Sequence, residues 1–343
     1  MVIRACLTIA RNSSVTATFT SSPASVTTRR WVPSSDRPLR LAPIIAPLCH
    51  ARAPGVRYGA HTACASMVAM PEPVELMEVA LRLAREAGVL IRDGRSSAEV
   101  AATKSSDVDI VTQMDVASET LLRERLAQWR PDDAILGEEG DDTPGTSGIT
   151  WVLDPIDGTV NYLYGIPHYA VSVAAVTGDV RNGEWTRIAG AVYDGEGVEW
   201  TAALGHGAYR NGLRLMRTGG PGLSGTLLGT GFQYVAERRV AQGKIVAEML
   251  GQVRDIRRLG AASVDLCLVA AGTLDAYYEH GLQPWDFAAG ALIASEAGLR
   301  VAGIDGGEPD SHLTIVAIPE AWDELRNALE KAGARQPWGS PRA

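Results

Sequence analysis

"WVLDPIDGTVNYLYGIPHYAVSVA", Trp151–Ala174, places two carboxylates three residues apart around a proline and follows them at once with Gly-Thr. Pro155 has no amide hydrogen and keeps Asp154 out of helical backbone angles, so the strand Trp151–Leu153 is predicted to end at Asp154. Asp157-Gly158 favours a turn, and Thr159 onward can start a helix. Asp154 and Asp157 then share one loop with the backbone N–H groups of Gly158 and Thr159, a chain end suited to anions. Carboxylates beside an anion site make sense when a divalent cation lies between them and a phosphate, and hard oxygen donors suit Mg²⁺. An isolated D-P-x-D-G would instead read as an Asx turn capped by Asp157.

This one is not isolated. Upstream, "LGEEGDD" (Leu136–Asp142) offers Glu138 and Glu139. Further upstream, "TKSSDVDIVTQMDVASE" (Thr103–Glu119) supplies Lys104, Asp109, Thr112 and Asp115, the last at the N-cap position of a helix over Val116–Trp129. Downstream, "PWDFAAGALIASEAG" (Pro284–Gly298) sets Asp286 just before an Ala-rich helix over Phe287–Ala297, where an acid alone would be an ordinary N-cap.

The rest of the chain frames these segments. Val74–Arg92 carries Leu76, Val79, Ala80, Leu83, Ala87 and Leu90 at three- and four-residue steps and is predicted helical. Strands are predicted at Tyr169–Val176, Ile188–Tyr193, Glu199–Ala203 and Ala208–Arg210. After "TGGPG" (Thr218–Gly222) helices and strands alternate: Thr226–Thr230, Asp275–Tyr278 and Thr314–Ile318 as strands, Val235–Leu250, Ala262–Ala271 and Ala321–Lys331 as helices. We therefore expect an α+β subdomain over 70–218 that binds metal, an α/β subdomain over 219–334 that shapes the substrate pocket, and a short tail over 335–343.

Composition excludes several functions. The chain has 343 residues, is 46% hydrophobic and 21% charged, and holds no apolar run long enough for a membrane helix. Residues 1–66 contain eight Arg, no Lys, one Asp and no Glu, so the remaining body carries a formal charge of −15. That balance argues against nucleic acid and requires cations if the substrate is anionic. The first 66 residues, rich in Ser, Thr, Arg and Pro, offer no core and read as a disordered or non-native extension. They fit a translation start placed too far upstream of Met67 or Met70 better than an organelle-import peptide. Of four cysteines only Cys267 lies in the body, which suits a reducing, cytoplasmic setting.

The motif G-E-E at Gly137–Glu139, then D-P-I-D-G-T-V-N-Y at Asp154–Tyr162, then W-D-F-A-A-G at Trp285–Gly290, resembles the inositol monophosphatase family of Mg²⁺-dependent, lithium-sensitive sugar phosphatases, over roughly 74–333. The resemblance implies a layered αβαβα sandwich and a homodimer. It implies that Glu138, Asp154 and the Ile156 carbonyl hold one Mg²⁺, that Asp154, Asp157 and Asp286 hold a second, and that Glu138 helps bind a weaker third. It assigns phosphate binding to the Gly158 and Thr159 N–H groups, and water activation to Glu138 with Thr159, whose hydroxyl is held by Asp115. Lys104 resembles a lysine on the rim of the family's site. In "EHGLQPWD" (Glu279–Asp286), Glu279 matches an acid that accepts hydrogen bonds from inositol hydroxyls. "RRLGAAS" (Arg257–Ser263) matches the loop that brings Gly260, Ala261 and Ala262 against the sugar ring. His280 has no matching role and is expected at the surface.

With both turn aspartates committed to metal, direct attack by water is the better reading than a phosphoenzyme. The expected activity is hydrolysis of myo-inositol monophosphate. Histidinol phosphate, fructose-1,6-bisphosphate and 3′-phosphoadenosine 5′-phosphate are the alternative esters, and a regulatory binding role on the same scaffold is the alternative class. The haloacid-dehalogenase type of phosphatase needs D-x-D, whereas this chain has D-x-x-D.

Overall fold

The computed structural model describes residues 71–104 and 109–336. The extension over 1–66, with Met67 and Met70, lies outside the described residues, as do 337–343. Helix α1 (Pro73–Gly94) is followed by strands β1 (Val100–Thr103) and β2 (Ile110–Thr112), helix α2 (Gln113–Trp129), β3 (Ala134–Gly137), β4 (Ile149–Asp157) and the short helix α3 (Thr159–Leu163). Strands β5 (Ala170–Asp179), β6 (Glu184–Asp194), β7 (Glu199–Ala203), β8 (Gly207–Arg210) and β9 (Leu213–Leu215) come next. The remainder runs β10 (Leu227–Thr230), α4 (Ala236–Leu250), β11 (Asp255–Arg257), α5 (Ala262–Ala270), β12 (Ala276–Glu279), α6 (Pro284–Glu296), β13 (Arg300–Ala302), β14 (Thr314–Ala317) and α7 (Trp322–Lys331).

Strands β3 to β9 form one seven-stranded sheet in chain order, antiparallel except for the parallel β3–β4 pair. A mixed five-stranded sheet has the order β11-β10-β12-β14-β13, and β1 pairs with β2 alone. Alternation along β4 and β5 shows how the layers are assigned. Trp151, Leu153, Val171, Val173 and Ala175 face α1 and α2, while Val152, Ala170, Ala174 and Val176 face α5 and α6. Helices α5 and α6 thus lie between the two sheets, with Cys267 of α5 fully buried there. Helices α4 and α7 close the outer face of the smaller sheet through Ile245, Met249, Trp322, Leu325 and Leu329. The result is an α+β fold stacked αβαβα.

Two local expectations are corrected. Strand β4 does not end at Asp154 but continues to Asp157. Asp154 pairs with Ser172 and Asp157 with Ala170, so three steps on β4 oppose two on β5. The extra residue is a β-bulge, which is where a strand can accommodate Pro155 without losing a ladder bond. Asp115 and Asp286 are not N-caps either. Thr112 and Gln283 occupy those positions, and each aspartate sits three residues on, accepting a hydrogen bond from the backbone N–H of the cap residue.

Candidate active site

The bulge decides the geometry of the opening motif. In a regular strand, residues three apart point to opposite faces; one extra residue restores the phase, and Asp154 and Asp157 both line the same cavity. Gly158 then turns the chain at φ +86°, a left-handed angle that favours glycine, and α3 begins. A side chain on Gly158 would also press on the Gly260 and His168 carbonyl oxygens, each 3.1 Å from its Cβ position.

The cavity, about 320 Å³, gathers Glu138 from the end of β3, Asp154, Ile156, Asp157, Gly158 and Thr159 from the bulge, and Ala262, Glu279 and Asp286 from the smaller sheet and its helices. Each is held by a specific neighbour. Asp157 Oδ2 accepts hydrogen bonds from Ser263 N at 2.7 Å and Ser263 Oγ at 2.6 Å, tying it to the start of α5. Asp154 Oδ1 accepts from Ile156 N at 3.1 Å. Thr159 Oγ1 lies 3.1 Å from Asp115 Oδ1 and 3.0 Å from the Ile156 carbonyl oxygen. Asp115 is fully buried, and Thr112 N and Oγ1 donate to its other oxygen. The segment after β3 hangs on Glu119, which accepts from Glu139 N and Gly140 N at 2.8 and 2.9 Å.

Charge is concentrated here. Burial, and then the fields of Glu138, Asp157 and Asp286, push the Asp154 carboxyl well above the usual carboxylate range. Asp286 is raised in the same way, by burial and then by Glu138 and Asp157. Burial also raises Asp157, against the Ser263 donors, and lifts Glu138 to about 7. Lys104 Nζ donates to Glu138 Oε1 at 2.7 Å and Glu139 Oε1 at 2.6 Å. Burial works against its ammonium, but the two glutamates prevail and raise its pKa. Among the described residues no three His, Cys, Asp or Glu side chains converge into a ready cage for an ion. The four acids share a cavity and a shortage of positive charge.

Glu279 lines the cavity at the end of β12, hydrogen-bonded by the Tyr277 hydroxyl, and burial raises its carboxyl to about 8. Gly260 also lines the cavity, and Ala261 is buried beside it. His280, expected at the surface, is buried: its Nε2 lies 2.9 Å from the Ala334 carbonyl oxygen and its ring stacks edge-on with Tyr278 and His312. Just past the end of β12, it turns away from the cavity toward the segment that follows α7. The sequence reading did not anticipate Phe232, Gln233, Tyr234, Arg258, Gln283 and Trp285, which also line the cavity.

Known proteins share this sequence pattern and fold. The model of the inositol monophosphatase family matches residues 72–334. The chain belongs to that family. The inositol-1-monophosphatase SuhB of Mycobacterium tuberculosis is 46% identical over 287 residues, covering 78% of this chain and 97% of that protein. The Nus factor SuhB of Escherichia coli is 39% identical over 270 residues, covering 75% of this chain and 99% of that protein. A solved structure of Mycobacterium tuberculosis SuhB superposes with a TM-score of 0.66 at 46% identity, over 77% of this chain and 99% of that one. Membership makes this protein a phosphatase of the family's type, acting on a phosphorylated substrate.

Proposed function

We propose that the protein hydrolyses myo-inositol monophosphate to inositol and phosphate by direct attack of water, with Mg²⁺ as cofactor. The observation that carries this reading is the convergence of Glu138, Asp154, Asp157 and Asp286, from three separate elements, on one cavity that also holds Thr159 and Glu279. The donor set fits Mg²⁺: hard carboxylate oxygens and the Ile156 carbonyl, with acids whose mutual repulsion a divalent ion would relieve. Glu138, Asp154 and Ile156 would hold one ion, Asp154, Asp157 and Asp286 a second, and Glu138 would share a third. Bound Mg²⁺ supplies charge neutralisation of phosphate oxygens and a lower pKa for water.

The protein's own groups do the positioning. Thr159 donates its hydroxyl proton to Asp115, which leaves Oγ1 free to accept a hydrogen bond from water. The Glu138 carboxylate takes the proton that water loses. The N–H groups of Gly158 and Thr159 orient the phosphate. Glu279 accepts hydrogen bonds from the ring hydroxyls, and Gly260, Ala261 and Ala262 pack on the ring. The test is phosphate release from inositol-1-phosphate, histidinol phosphate, fructose-1,6-bisphosphate and 3′-phosphoadenosine 5′-phosphate, with Mg²⁺ and with chelator. Inositol-1-phosphate is expected to give the highest kcat/KM among the single-phosphate esters, and chelator to abolish release. Release that survives chelation would sink the reading.

The same reading takes the protein as a cytoplasmic homodimer that binds neither nucleic acid nor membrane, supported by the −15 charge of the body and by the absence, among the described residues, of a helix able to cross a membrane. Sedimentation of the purified chain tests the dimer. A regulatory binding role on the same scaffold is the second reading, favoured by the identity to a protein named a Nus factor. It predicts that an inactive Asp154→Asn chain still captures its protein partners.

A further inference from the structure

Asn161, two residues after Thr159 on α3, belongs to the D-P-I-D-G-T-V-N-Y motif but is buried and is not among the residues that line the cavity. Its Nδ2 donates to the His168 carbonyl oxygen at 2.7 Å and to the Leu259 carbonyl oxygen at 2.8 Å. A side-chain amide carries two N–H donors, and both are used. Leu259 stands just before Gly260 and Ala262, which line the cavity, and Gly260 takes φ +95°. A Cβ on Gly260 would fall 3.1 Å from Asn161 Nδ2, so the bare turn lets the amide in close. His168 is tied to the same wall a second time, its Nε2 lying 2.9 Å from Asp265 Oδ1 on α5. Helix α3 itself is secured from another side. Arg95, just after α1, donates to the carbonyl oxygens of Asn161, Tyr162 and Ile166, and the Tyr162 hydroxyl donates to the Ile91 carbonyl oxygen at 2.6 Å. The phosphate turn and α3 are therefore anchored to α1, and the Leu259 carbonyl is anchored to α3 by one amide.

We propose that Asn161 is a positioning residue for polyol recognition: by holding the Leu259 carbonyl against α3, it fixes the Gly260–Ala262 loop at the distance from the phosphate turn that a polyol phosphate spans. This rests on the phosphatase reading above. Every phosphate ester meets the Gly158 and Thr159 N–H groups, but only the polyol meets Gly260, Ala261 and Ala262, so a displaced loop costs discrimination between esters. The residue type follows from the two acceptors. Asp would set a carboxylate oxygen against two carbonyl oxygens, and Ala would leave both without this donor. Neither change touches an acid of the cavity or the hydroxyl of Thr159.

The test uses the full chain in Mg²⁺ as wild type, Asn161→Ala and Asn161→Ser, with inositol-1-phosphate and a simple aryl phosphate as substrates and inorganic phosphate as competitive inhibitor. In Asn161→Ala the kcat/KM ratio of inositol-1-phosphate to aryl phosphate falls about tenfold or more, chiefly through the inositol-1-phosphate KM, while the inhibition constant of inorganic phosphate stays within about twofold. Asn161→Ser, which keeps one hydroxyl donor, falls between. A residue that only supports the fold or the metal acids would slow both esters alike and weaken inorganic phosphate with them. That result overturns the proposal, as does an unchanged ratio. If thermal melts show that Asn161→Ala does not fold, Asn161→Ser carries the comparison, and a ratio equal to that of the wild type overturns the proposal. If the wild type turns over neither ester, that failure belongs to the phosphatase reading, and calorimetric binding in Mg²⁺ decides instead. Affinity in Asn161→Ala about tenfold weaker for inositol-1-phosphate but unchanged for inorganic phosphate supports the role, and any other pattern overturns it.

Discussion

Replacing Asp154 with Asn should abolish turnover and yet make the metal-free protein more stable. Asp154 is 1% exposed, and the charges of Glu138, Asp157 and Asp286 bear on it. At an effective dielectric of about 20, two unit charges about 4 Å apart repel by about 4 kcal/mol. The carboxyl escapes part of that cost by holding a proton, at about 1.4 kcal/mol per pKa unit, so the relief on substitution is on the order of 1–3 kcal/mol. For a body of this size each kcal/mol moves Tm by about 2–4 °C. The sign follows from the raised folded pKa. The stability contribution is fully present below the ordinary carboxylate range and is lost as pH rises toward the folded value. In chelator the wild type therefore melts lower at pH 8 than at pH 5, and Asp154→Asn flattens that slope. Mg²⁺ at a hundredfold excess over Kd should stabilise the wild type by about 2.7 kcal/mol and the variant by little. Thermal melts in chelator and in Mg²⁺, at both pH values, read all of this. A variant that melts below the wild type in chelator while keeping its Mg²⁺ shift would refute the reasoning, and would assign Asp154 to the bulge through its bond to Ile156 N.

Glu279→Gln should raise KM for inositol-1-phosphate more than it lowers kcat, with a loss in kcat/KM up to about ten- to a hundredfold. A simple aryl phosphate, lacking ring hydroxyls, should be hydrolysed almost as before, and an equal loss on both would return Glu279 to a structural role. His280, buried and held neutral, has its pKa pushed down to about 4, first by burial. Its contribution is present above the ordinary histidine pKa and is lost as pH falls from about 6.5 toward 4, a change of about 3 kcal/mol that His280→Asn should remove from acid denaturation curves. Trp151→Phe removes the hydrogen bond that Asp133 Oδ2 accepts from Trp151 Nε1 at 2.8 Å, leaves that carboxylate to Arg130, and should cost about 1.5–3 kcal/mol in urea unfolding. A cost as large in an Asp133→Leu background, which has no acceptor for the indole N–H, would mean that the hydrogen bond is not its source.

The layers were legible because β4, β5 and α1 alternate cleanly. Val152 against Trp151 and Leu153, and the buried run Leu76, Ala80, Leu83 and Ala87, carry periods of two and of three to four that survive any detail of packing. The acids that line the cavity were legible because the motifs place them on turns and helix starts. What failed was anything that depends on a partner strand. Pro155 argued for a strand end, and only the facing residues Ser172 and Ala170 reveal a bulge. Likewise, Asp115 and Asp286 look like caps until Thr112 and Gln283 take that position. This part of the cavity lining had no local signal, since Phe232, Gln233 and Arg258 lie on irregular segments that meet only in the folded chain.

Cys267 offers a way to watch this chain breathe. It lies at the middle of α5, between the two sheets, with no exposed surface, and burial raises its thiol well above the ordinary value. A thiol reagent can reach it only when the helix pair between the sheets parts, because the nucleophile is the thiolate and the thiolate needs water. Its labelling rate is thus an intrinsic clock for the opening of the very layer that carries Ser263 and Asp286. Slower labelling in Mg²⁺ than in chelator would report, without any assay of chemistry, that ions bound at one rim of α5 and α6 hold the interior shut.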